Sequence, residues 1–200
     1  TEPQVQQGLG EDVAATNPTT EQTLRDTIAS LLGKGHNWRI HVYATPEEAH
    51  AAGHPPRKVG NAYGWVEADQ KGVKHAYFIV NRIEQGTELG KFLHEVGAHI
   101  GLENILSPAL YQNLVGQLRK WAALNNDSLE SRLAKAALAR VESAQAESTR
   151  AGREGLDQAG QDSELIAYFL EEAVKAGVDP TATKANSPLG TWFMRLWTAF

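Results

Sequence analysis

An α+β fold is expected for this chain of 200 residues, and three patterns lead to it. Apolar residues at helical spacing open the sequence, period-two alternation follows between residues 38 and 83, and helical spacing then returns through to the C-terminus. With 42% hydrophobic residues there is material for a core, and the length suits one domain over residues 20–200. Residues 1–19, rich in Gln, Thr, Pro and Gly, read as a flexible lead-in.

The elements follow in order. Thr19 or Thr20 can cap a helix with Leu24, Ile28, Leu31 and Leu32 on one face, ending at Gly33. Trp38, Ile40 and Val42 alternate with Arg39, His41 and Tyr43, the mark of a strand with one buried face. Residues 46–52 suit a short helix, and residues 53–60, with two prolines, a loop. Residues 61–67 and 74–83 form two strands of a hairpin around the turn at 68–72, giving a small antiparallel sheet. Thr87 can cap a helix to about residue 103, and Ser107-Pro108 starts another. Asp127 or Ser128 caps a third helix, to about residue 147, and residues 148–161 read as a loop. Asp162 or Ser163 caps a helix through Lys175 that Gly177 ends. A loop over 179–190 and a Trp-rich segment close the chain.

Charge and composition exclude several functions. Nineteen basic against 24 acidic residues give a net charge of −5, and the basic residues are scattered, so nucleic acid is not an expected partner. With no cysteine there is no disulfide scaffold, thiol nucleophile or cysteine metal site. No apolar run approaches the roughly 20 residues that span a bilayer. The chain opens on Thr1 with no signal peptide, and is expected to be a fragment whose flanking domains would be partners.

One segment carries chemistry. Phe92-Leu93-His94-Glu95-Val96-Gly97-Ala98-His99 sets two histidines on a helix with a glutamate after the first. Such a grouping supplies two neutral imidazole ligands to Zn2+ and a carboxylate beside the metal-bound water. Zinc peptidases usually space the histidines by four residues, which returns them to one helix face; here the spacing is five, a separation of about 140° in a regular helix. A single wide π turn would absorb the extra residue, and Gly97 and Ala98 would ease it.

The H-E-x-x-x-H pattern resembles that of the dipeptidyl-peptidase III family of zinc peptidases. His94 to Leu102, together with Asp162-Ser163-Glu164-Leu165-Ile166-Ala167-Tyr168, more closely resembles the metallopeptidase-like domain of large polyvalent proteins of phages and mobile elements. That resemblance implies a zincin-like fold and a peptide or protein substrate. It also implies a phage setting, either virion-associated or delivered to a host cytoplasm. Glu164, followed three residues on by the small Ala167, resembles the third-ligand helix of gluzincins and is the candidate for the remaining zinc ligand; Glu171 and Glu172 compete on the same helix. Glu95 is the candidate general base. Tyr168 and His75 are candidates for stabilising a tetrahedral intermediate. The backbone of the 74–83 strand is expected to pair with an extended substrate.

Simpler readings stand beside these. His94 and His99 also suit hydrogen-bonded core histidines, and the rival function is a non-catalytic zincin-like interaction module. His36, His41, His50 and His54 read as solvated residues, and the cluster from Trp192 to Phe200 as packing on the domain.

Overall fold

The computed structural model describes residues 14–32, 38–60, 62–99, 106–150, 155–180, 182 and 186–197; the side chains of 31, 32, 57, 58, 68 and 96–99 lie outside that description. Where length suggests one domain over 20–200, the chain divides into two compact units, Thr1–Ile100 and Gly101–Phe200. Each buries an apolar core of its own.

In the first unit, α1 (Glu21–Leu32) starts where the Thr20 hydroxyl accepts from the Thr23 N–H at 3.1 Å, and it buries Leu24 and Ile28. Strand β1 (Trp38–Tyr43) is followed by α2 (Pro46–Ala51), capped by Thr45, and by a short α3 (Pro56–Val59) inside the expected 53–60 loop. Strands β2 (Gly64–Ala68) and β3 (Lys74–Ile79) form the expected antiparallel hairpin. Its turn is tied by Asp69 Oδ1, which accepts from the N–H groups of Lys71 and Val73 at 2.8 and 2.9 Å, with Gly72 at φ +76°. A single 3-10 turn over Val80–Arg82 ends β3 four residues earlier than the alternation suggests, and α4 (Glu88–His99) follows.

The sheet is mixed, not antiparallel throughout. Its order is β1-β3-β2, with β1 parallel to β3. The chain between them holds α2, α3 and β2, a crossover long enough for parallel pairing. Strand β3 is therefore central, with both backbone edges paired, so residues 74–79 have no edge left for an extended substrate. Among the described residues the edge strands are β1 and β2.

Alternation sends Gly64, Val66, Ala76 and Phe78 to one face, where Phe92 of α4 lies 6.1 Å from the Phe78 ring; α1 packs beside α4. The other face carries Trp65, Tyr77 and Ile79, which pack with Ala49 of α2 and Val59 of α3. Residues 14–19, expected to be flexible, are tied to the segment after β3. Ala15 N–H bonds the Asn81 carbonyl at 2.8 Å, Thr19 N–H bonds that of Ile83 at 2.9 Å, and Pro18 bridges Glu84.

Gly64 fixes the approach of α4 to the sheet. A Cβ there would stand 2.8 Å from the Tyr77 carbonyl oxygen, 3.1 Å from Phe78 Cδ1 and 3.2 Å from Glu95 Cγ. The carbonyl belongs to the central strand and cannot swing away. Gly64→Ala is expected to destabilise the first unit by about 1–3 kcal/mol, read by denaturant unfolding. A change below about 0.5 kcal/mol would contradict so close a contact.

The second unit is helical: α5 (Pro108–Ala123), α6 (Leu129–Arg150), α7 (Gln158–Lys175) and α8 (Pro188–Trp197). Ser107, Ser128, Asp157 and Ser187 cap these four helices. Helix α7 thus begins before the expected start: Asp157 caps it, not Asp162 or Ser163, and Glu164 stands in its second turn. Asp162 is buried and instead accepts from Arg119 and Gln158. The Trp-rich segment packs within this unit, with the Trp192 ring 5.0 Å from Phe169 and its indole N–H on the Leu114 carbonyl at 3.1 Å; residues 198–200 lie outside the described residues. Among the described residues no helix is long and apolar enough to cross a membrane.

Candidate active site

Helix α4 buries two consecutive ionisable side chains, His94 at 1% exposure and Glu95 at 0%. They are set by helical phase. Phe92, Leu93, His94 and Glu95 sweep a full turn, and all four are buried, so α4 has cover on every side at that level. Glu95 faces the sheet at Gly64, where the absent side chain admits its Cγ. His94 packs against Tyr63 in a T-shaped arrangement, ring centroids 5.9 Å apart at 68°. Lys91, one turn earlier, holds its ammonium 4.0 Å from the centre of the same Tyr63 ring, a cation–π contact. Glu88, at the start of α4, is also buried and accepts from the Thr19 hydroxyl.

Tyr63, Gly64 and Lys91 are members of this site that motif reading missed. The signal for Gly64 was present: a glycine flanked by Tyr63 and Trp65 interrupts a strand pattern, and such a glycine marks a close approach. Nothing local marks Lys91 beyond its position three residues before His94.

The expected wide turn between His94 and His99 is not found. Helix α4 is α-helical from Glu88 to His99, so the two backbone positions stand about 140° apart around its axis. The His99 side chain and residues 100–105 lie outside the described residues. Among the described residues, no three histidines or carboxylates form a group that could hold a metal ion.

The remaining candidates are placed as follows. His75 points to the face of the sheet opposite α4, between the α4-facing residues Lys74 and Ala76. Its Nδ1 lies 2.9 Å from His41 Nε2, so it is not brought together with His94 and Glu95. His54, read as solvated, instead bonds the Tyr43 hydroxyl through Nε2 at 2.9 Å; His50 is exposed. His36 lies outside the described residues.

In the second unit, Glu164 is half-buried on α7. Its competitors are held by cations. Arg140 donates to Glu171 at 2.7 Å and to Glu172 at 3.0 Å, and Lys175 sits 2.9 Å from Glu172. Burial alone would lower the Arg140 pKa, but Glu171 foremost, then Tyr168 and Glu172, hold it above its usual range. Tyr168 is buried, with the Arg140 guanidinium 4.0 Å from its ring centre.

Comparison with protein-family models, with curated proteins and with solved structures gives no match for this chain.

Proposed function

We propose that this chain is a zinc-dependent peptidase domain of zincin-like fold. The observation that supports it is the adjacent, buried His94 and Glu95 on a helix laid against an antiparallel edge strand. Withdrawing ionisable groups from water carries a penalty of several kcal/mol per charge, which core packing alone does not ask for. Ionisable pairs kept in such positions are a pattern that functional sites show.

Imidazole and carboxylate are donors that zinc takes, so the chemistry of the set fits. His94, His99 and Glu164 would hold the ion; His94 enters on its burial and position, His99 and Glu164 on their spacing and resemblance. Zinc supplies an acidified water and polarises the scissile carbonyl when bound. Glu95 would serve as the general base, holding a proton at its carboxylate and returning it to the departing amine. The substrate is a peptide or protein, and with both edges of β3 paired, an extended segment would add at the outer edge of β2 beside Gly64. The second reading, a non-catalytic interaction module, draws on the unbroken α4, which gives His94 and His99 no common face.

The ligand set is tested by three substitutions read by zinc titration. Glu164→Ala is expected to weaken zinc by more than the roughly 10–100-fold typical of an outer-shell partner. Glu171→Ala and Glu172→Ala, whose carboxylates already pair with Arg140, are expected to leave affinity nearly unchanged. The reverse ranking would move the ligand to the end of α7, and three wild-type affinities would remove the gluzincin arrangement.

A further inference from the structure

The face of the sheet turned away from α4 carries a second set of titratable groups, on which the peptidase reading makes no demand. Arg39, His41 and Tyr43 of β1 share that face with His75 and Tyr77 of β3 and with Trp65 and Glu67 of β2. The parallel register pairs Arg39 with His75 and His41 with Tyr77, so His41 and His75 are diagonal neighbours. Their facing nitrogens are 2.9 Å apart, the rings are within 8° of coplanar, and the centroids lie 5.1 Å apart. That centroid separation is close to the N···N distance plus the reach of both rings. The imidazoles therefore meet edge to edge, with an N–H directed along the partner's lone pair.

We propose that the His41–His75 pair is a proton-operated latch between β1 and β3, closed while a single proton lies between the facing nitrogens and opened when both of those nitrogens are protonated, the state that proton uptake by His41 beside a charged His75 produces. Neutral imidazole is a donor at one nitrogen and an acceptor at the other, whereas imidazolium is a donor at both. With one proton between the rings the bond forms; with both rings charged, N–H faces N–H and like charges repel.

The surroundings decide which ring resists charge. Asp69 Oδ2 stands 3.7 Å from the buried His75 Nε2, on the far side of that ring, and Glu67 is its cross-strand neighbour on β2. Around His41 the charged groups are basic. Arg25 of α1 reaches over to the Ile40 carbonyl at 3.4 Å, Arg39 precedes it on the strand, and His54 approaches from the loop after α2. The neighbouring phenols supply no anion. Burial raises Tyr43, while burial followed by Glu67 and Tyr43 pushes Tyr77 up to about 12. Burial first, then His75, His54, Arg25 and Arg39, lowers His41 below the ordinary 6.5.

The sign follows from linkage. The unfolded chain binds a proton at His41 more readily than the folded chain does, so stability is full above the ordinary value and falls as pH drops from 6.5 towards the depressed one. Strand β1 is the element released: among the described residues it is an edge strand whose ladder runs to β3 alone.

The test is a side-chain NMR titration of the full chain, with backbone hydrogen exchange corrected for intrinsic rates at about pH 7.5 and about pH 5. His41 is expected to titrate below 6.5, and β1 amides to lose protection about tenfold per pH unit across that window. His75→Gln is expected to move His41 back towards 6.5 and to flatten the β1 response. A His41 that titrates at or above 6.5, or β1 protection equal at the two pH values, overturns the latch. So does a β1 response that His75→Gln leaves intact, and should that variant fail to fold, the wild-type titration and exchange decide alone.

Discussion

Glu95→Gln is expected to leave the chain folded and zinc-loaded while lowering kcat/KM by at least about 10²–10⁴-fold on any peptide the wild type cleaves. Glutamine has the shape of glutamate, so the space beside Gly64 that admits Glu95 Cγ stays filled. The zinc ligands proposed are His94, His99 and Glu164, none of which the substitution touches. What changes is proton transfer, because an amide cannot accept the proton of an attacking water at working pH. Steady-state assays beside zinc analysis and thermal melting separate these effects. Turnover kept at the wild-type level would remove Glu95 from the reaction and favour the reading as an interaction module.

Arg140→Met is expected to give the largest loss of stability, about 3–5 kcal/mol in urea unfolding of the helical unit. Glu171 has 2% of its side chain exposed and receives a 2.7 Å bond from Arg140, itself 30% exposed. Removing the guanidinium leaves a buried carboxylate with Lys175 Nζ 3.9 Å away. That residual partner places the effect towards the lower end of the range. Tyr168 loses the cation over its ring at the same time. The double variant Arg140→Met with Glu171→Leu should recover most of the loss, since replacing both members of a buried pair by apolar groups is often close to neutral. A single-variant loss under about 1 kcal/mol would place Glu171 in water despite its burial.

Much of the local architecture was legible because its causes are local. The β2–β3 hairpin announced itself through alternation on either side of the Asp69 to Gly72 turn, and Ser107-Pro108 fixed the start of α5 through cap and first-turn chemistry. The direction and partner of β1 were not legible. Alternation at Trp38 to Tyr43 identifies a strand with a buried face and says nothing about which strand lies beside it. For the same reason nothing in the 74–83 pattern shows that its backbone is paired on both sides and closed to an extended substrate, since its neighbours are fixed by tertiary pairing. The start of α7 was misplaced because Asp157, Asp162 and Ser163 all suit a cap, and only the Gly160 N–H on Asp157 distinguishes them. At the site, the sequence pointed to His94 and Glu95 through their motif and could not foresee that α4 stays regular across Gly97 and Ala98. The His41–His75 bond joins residues 34 positions apart, and no pattern within either strand signals it.

Metal analysis of the purified chain, run beside the same measurement on His94→Ala, tests the zinc peptidase reading most directly. One zinc per wild-type chain, lost in a His94→Ala variant whose fold is intact by circular dichroism, is the predicted result. A wild-type chain that stays metal-free after zinc is supplied, or a His94→Ala variant that holds zinc as tightly as wild type, would contradict it.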